Sequence, residues 1–194
     1  MEKFFKFIRI ITVSPFMALM LCLLLYFCVP TSFQNAGMLI LTICLLSVVP
    51  ALAYPAEKIF GLQRKLDKNS DLRQAQRKMA ICFSLISYSC LTLLVFLTNS
   101  SPILKEMTLT YLFSGALIFV FSIIFNFNAS GHVCGVVGPI AFLSYSVSLY
   151  FLFLSFLLIF VTISSLKLKR HSICELIIGG IIPIISFLIA IFII

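Results

Sequence analysis

Apolar runs of about 16 to 24 residues follow one another along this 194-residue chain, separated only by short polar breaks. A helix on the surface of a soluble domain carries one apolar stripe and one polar face. A helix surrounded by lipid is apolar on nearly every side and satisfies its backbone hydrogen bonds internally. The pattern predicts membrane helices at about 10–29, 37–57, 79–98, 107–127, 132–148, 149–166 and 174–193. Residues 132–166 have the length of one long tilted helix, but a break near Ser144 to Ser148 makes them a hairpin whose limbs are of roughly bilayer length. The expected fold class is all-α: a polytopic transmembrane helix bundle of six or seven membrane helices, one integral membrane domain over residues 1–194.

Composition strengthens this picture. With 62% hydrophobic and 10% charged residues, the chain lies outside the range of soluble globular domains. The first apolar run lacks the small-residue cleavage site of a secretory signal and is expected to stay in the mature protein. The seven cysteines are scattered, mostly inside apolar runs, without metal-ligand spacing. No metal or other cofactor is expected, since the six acidic residues do not cluster either. A net charge of +8 raises the question of nucleic acid, but the positive residues are gathered beside apolar runs rather than spread along a face. Nucleic acid is therefore not an expected partner.

Seven helices put the amino terminus, the 58–78 loop, the 128–131 turn and the 167–173 loop on one side of the membrane. All Lys and Arg residues except Lys105 then share that side, which the positive-inside rule makes cytoplasmic. An integral protein of a prokaryotic cell membrane is the expected localisation.

Three clusters carry candidate chemistry. In "ASGHVCGVVG" (129–138), Ser130 is placed to cap a helix starting near His132. The unpaired amides of that first turn and the positive end of the helix dipole make an anion site. Gly135 and Gly138, one and two turns beyond Gly131, leave a bare strip for another helix or a ligand. In "SSLKLKRHSICE" (164–175), His171 and Glu175 are four apart, so on a helix the carboxylate accepts from one ring nitrogen and leaves the other as a nucleophile. In "DKNSDLRQAQRKM" (67–79), Arg73 and Arg77 are one turn apart and suited to grip a phosphate.

Taken together the clusters resemble the phosphatidic acid phosphatase type 2 superfamily of membrane lipid phosphatases. Its signature runs K-x6-R-P, then P-S-G-H, then S-R-x5-H-x3-D. Here the second motif reads "ASGH" at 129–132 and the third runs from Ser164 through His171 to Glu175, so both histidines of the chain fall into the two histidine slots. In the first motif Arg77 fits, while Ser70 stands for lysine and Lys78 for proline, with Arg73 or Lys68 as substitutes. The resemblance covers residues 67–180. It implies a lipid phosphate substrate within the bilayer, His171 as nucleophile, Glu175 orienting it, His132 protonating the leaving alcohol, and Arg77, Ser130 and the Gly131 amide holding phosphoryl oxygens. Ser165 replaces the arginine of the third motif. If residues 149–169 continue as a helix, Lys169 lies one turn beyond Ser165 and is expected to make part of the lost contact. The same replacement leaves open a second function: a catalytically inactive relative that binds or transports an anionic lipid.

Overall fold

The computed structural model describes residues 2–53 and 69–194, without the side chains of residues 2–4, 6 and 69–73. These form eight helices: α1 (Glu2–Ile11), α2 (Ser14–Cys28), α3 (Ala36–Ala53), α4 (Asn69–Leu97), α5 (Pro102–Ile124), α6 (Gly131–Ser146), α7 (Leu149–Lys167) and α8 (Ile173–Ile193). Among the described residues there is no strand. Helices α3, α4, α5, α7 and α8 are long and apolar enough to cross a membrane. Helices α2 and α6, with 15 and 16 residues, are shorter, about 22–24 Å at 1.5 Å per residue. The chain is an all-α, multi-pass membrane protein.

Residues 131–167 form the expected hairpin. Helix α6 stops at Ser146, and the extended Ser148 accepts a hydrogen bond from the Tyr150 amide, which starts α7 as a tight 3-10 turn. Helix α5 begins at Pro102, earlier than the expected 107. Ser101 caps the Leu104 amide, and Pro102 occupies the first turn, where a helix needs no N–H.

The first apolar run departs from expectation. It does not begin as a membrane helix at residue 10. Residues 2–11 make a separate helix, α1, and the chain breaks at Thr12 and Val13 before α2 starts. The charged residues Lys3, Lys6 and Arg9 interrupt the apolar pattern here, and Phe5, Ile8, Arg9 and Thr12 form the inward face of the short helix while Phe7, Ile10 and Ile11 stay exposed. Ile8 joins the apolar cluster that includes Leu157 and Val161 of α7, and the buried Ser164 hydroxyl donates to the Phe5 carbonyl at 2.9 Å.

Cross-links fix the two ends of the bundle. At one end Arg77 of α4 reaches the Ala129 carbonyl, the Ser130 amide reaches the Glu175 carbonyl of α8, and Arg9 reaches Ser165 of α7. At the other, Ser101 donates to the Ser32 carbonyl and Gln34 to that of Thr98. The polar segments carrying the three clusters thus lie at one end, as the even number of intervening helices requires.

Small residues allow the close approaches. A Cβ at Gly135 would lie 2.9 Å from the Cα of Ser14, so α6 and the start of α2 touch backbone to backbone, and the Ser14 hydroxyl donates to the Gly131 carbonyl at 2.7 Å. Deeper in, Phe142 of α6 and Phe187 of α8 pack with ring centroids 5.4 Å apart.

Candidate functional site

Three helix amino termini meet at the polar end: α2 at Ser14, α6 at Gly131 and α8 at Ile173. Each brings the positive end of a helix dipole, so their junction favours an anion. Ser130 caps α6 by accepting from the Val133 amide at 3.4 Å. Ser172 and Glu175 form a reciprocal capping box at the start of α8, Ser172 accepting from the Glu175 amide at 3.3 Å and donating its own amide to Glu175 Oε2 at 2.9 Å.

The capping box does a second job. Glu175 Oε2 also lies 3.2 Å from His171 Nδ1. A carboxylate oxygen only accepts, so Nδ1 carries the hydrogen and Nε2 keeps its lone pair. His171 sits in the α7–α8 loop, and its pKa is lowered from the ordinary 6.5, first by burial and then by the positive charge of Arg77. Glu175 opposes the shift. The ring is therefore neutral at pH 7, with Nε2 available as a nucleophile.

A cavity of about 770 Å³ opens beside this pair. Its polar end is lined by Arg9, Arg77, Lys169, Arg170, His132 and His171. Among the described lining residues there is no carboxylate. Inward, α4 contributes Ala80, Ile81, Ser84 and Tyr88 below Arg77, and α5 contributes Ile118, Gly115, Ser114 and Tyr111, each set one face of its helix. Between Arg77 and Tyr88 the rise is about 16 Å, so the cavity runs from the charged end toward mid-bundle. Its inner walls are apolar or hydroxylated, and the Tyr111 Oη is buried without a hydrogen-bond partner among the described residues.

The residues singled out from sequence divide by position. His132, Gly131, Arg77, Lys169 and His171 line the cavity together. Glu175 stands behind His171. Ser130 is fully buried and is absent from the lining residues: its hydroxyl caps α6, and its amide is spent on the Glu175 carbonyl at 2.9 Å. Arg77 donates to the Ala129 carbonyl at 2.5 Å and to Ser122 at 3.5 Å, which pins the turn before His132 to α4. Arg73 lies on α4, but its side chain is outside the described residues, as is Lys68 altogether.

Lys169 reaches the cavity by a route other than the helical one expected. Helix α7 ends at Lys167 in a Schellman motif: the Arg170 amide bonds the Ser165 carbonyl at 2.9 Å and the Lys169 amide the Leu166 carbonyl at 3.0 Å. Lys169 takes the left-handed position of that motif, with φ of 48°, which usually belongs to glycine. The group that touches Ser165 is Arg9, whose Nη1 lies 3.4 Å from the Ser165 hydroxyl. The Arg9 backbone carbonyl also accepts from the His132 ring. The sequence presents Arg9 as a topological flank beside Lys3 and Lys6, and no local spacing marks its contact with Ser165.

No family model matches this sequence, no curated protein matches it, and no solved structure matches it.

Proposed function

We propose that the chain is a membrane lipid phosphatase that hydrolyses a phosphomonoester or pyrophosphate of a lipid through a phosphohistidine. The observation that carries the reading is the His171–Glu175 hydrogen bond, with a neutral ring held at the charged mouth of a cavity whose inner part is apolar. The lipid phosphate lies with its headgroup at Arg77, Lys169 and the Gly131 amide and its chain between α4, α5 and α6. His171 Nε2 attacks phosphorus, forming the N–P bond as the P–O bond to the lipid alcohol breaks, and His132 gives the departing oxygen its proton. The incoming phosphate supplies the negative charge that balances a protonated His132 among so many cations. Water then attacks phosphorus as neutral His132 takes its proton, the N–P bond breaks with its electron pair returning to Nε2, and inorganic phosphate leaves with His132 protonated again. Glu175 holds the ring throughout and is a positioning residue.

The test is inorganic phosphate release by purified protein from phosphatidate, phosphatidylglycerol phosphate and polyprenyl mono- and pyrophosphates. Release from at least one, lost in His171→Ala, is the expected result. Ser70 and Lys78, standing where the family motif has lysine and proline, favour a second reading in which an anionic lipid is bound without turnover. Saturable binding of the same lipids with no phosphate released by wild type selects it.

The charge distribution supports a cytoplasmic site in a prokaryotic cell membrane. Single cysteines at the exposed Lys167 and Thr31, in a background lacking the native seven, report the orientation. An impermeant thiol reagent is expected to label only Thr31→Cys in intact cells; labelling of Lys167→Cys alone reverses the assignment.

A further inference from the structure

The charge on α1 has more to explain than membrane orientation. A flanking cation that only sets topology sits in water or among lipid headgroups and needs no buried partner. Arg9 behaves differently. Its guanidinium enters the bundle, donates to Ser165 and lines the cavity beside His132 and His171. Ser164 and Ser165 are both fully buried, and they tether α1 at two successive turns, one through the Phe5 carbonyl and one through Arg9 itself. Past Arg9 the chain breaks at Thr12, whose hydroxyl closes on the Ile8 carbonyl at 2.8 Å, and Ser14 then docks on Gly131. The amino-terminal segment is therefore held against the candidate site on both sides of Arg9.

We propose that Arg9 is an anion ligand of this site, contributed by α1, and that the group it takes is a phosphoryl or similar tetrahedral oxyanion. For the identity of its natural ligand the assignment rests on the lipid phosphatase reading; for the anion contact it rests on geometry alone. A guanidinium presents several N–H donors in a planar fork and keeps its charge, and Arg9, tied to Ser165, lines the cavity beside both histidines. Arg9 and Arg77 enter from different helices, α1 and α4, and Lys169 from the loop after α7, so the three surround the mouth. A phosphate bound there is contacted from separate directions, as a preorganised anion site requires.

The experiment measures binding of inorganic phosphate and orthovanadate to the full chain in detergent by isothermal titration, for wild type, Arg9→Ala, Arg9→Gln, Arg9→Lys and Lys167→Ala. Melting curves check each fold. Glutamine keeps a donor for Ser165 and most of the packing but no charge, which separates an anion contact from a structural tether. Arg9→Ala and Arg9→Gln are expected to weaken binding at least about tenfold, as for loss of a charge-assisted hydrogen bond. Arg9→Lys regains part of it, and Lys167→Ala changes nothing. Wild-type affinity in Arg9→Gln, or no oxyanion binding by wild type, overturns the proposal. Lipid phosphate turnover is measured on the same samples. Arg9-dependent anion binding without turnover sinks the phosphatase reading and leaves Arg9 standing, whereas turnover with Arg9-independent binding does the reverse.

Discussion

Replacing Gly179 by alanine places a methyl group 2.5 Å from the Ser130 carbonyl oxygen, 2.9 Å from its nitrogen and 3.1 Å from its Cα. All three are backbone atoms, so no rotamer change relieves the contact. Restoring ordinary separation of about 3.4 Å to the oxygen requires α8 and the 129–132 segment to part by about 0.9 Å. That gap is spanned by the 2.9 Å bond from the Ser130 amide to the Glu175 carbonyl, which lengthens or breaks. His132 follows Ser130 by two residues, and His171 is bonded to Glu175, so the substitution moves the two histidines apart. A misplacement of roughly 1 Å at reacting groups costs about a hundredfold in rate, and overpacking costs about 1–3 kcal/mol. Gly180 is the matched control: its Cβ meets Val133 Cγ1 at 3.5 Å and Val137 Cγ2 at 3.9 Å, ordinary contacts. Thermal unfolding and phosphate release are measured in the same detergent. Gly179→Ala is expected to lower both the midpoint and turnover, while Gly180→Ala retains turnover and gains up to about 1 kcal/mol of helix propensity. Similar behaviour of the two variants refutes the close docking of the Ser-Gly-His turn on α8.

Three further outcomes follow from single residues. Lys169→Gly relieves the left-handed backbone at φ 48° and is expected to stabilise the fold by roughly 1 kcal/mol, read as a higher melting midpoint, while its lost charge weakens phosphate binding. Because burial and Arg77 lower the His171 pKa, the acid limb of kcat/KM is expected below pH 6.5, and in Glu175→Gln, where the opposing influence is gone, the residual activity should show it lower still. Tyr111→Phe removes a buried hydroxyl without a partner among the described residues and is expected to leave the midpoint unchanged or slightly raised; a clear fall exposes a hidden partner.

The helix bundle was legible from sequence because lipid imposes one rule on every crossing segment, and the runs ending at Leu97, Lys167 and Ile193 obey it, whereas the run ending at Cys28 is broken at Thr12 and Val13. The His171–Glu175 pair was read from helical spacing, but His171 lies before α8, and its 3.2 Å bond comes from the capping box that turns the Glu175 carboxylate back past the start of the helix. Ser130 was placed correctly as a cap, but its burial depends on α8 presenting Gly179 opposite it, a packing relation that no local spacing encodes. Arg9 escaped for the same reason, since its neighbour Ser165 is 156 residues away. Lys169 was misplaced because helix propensity gave no sign of where α7 stops: the Schellman turn puts a lysine where glycine is the ordinary marker.

The central claim is a covalent bond between His171 and phosphorus. Its most direct test is rapid acid-free quenching of wild type and His171→Ala after exposure to a lipid phosphate labelled at phosphorus, followed by mass spectrometry of the peptide spanning residues 164–175. The account predicts a phosphoryl group on His171 of wild type, stable in alkali and lost in acid, and no label in the variant. Release of phosphate by wild type at equal rate in His171→Ala, or a phosphoryl group on another residue, contradicts it.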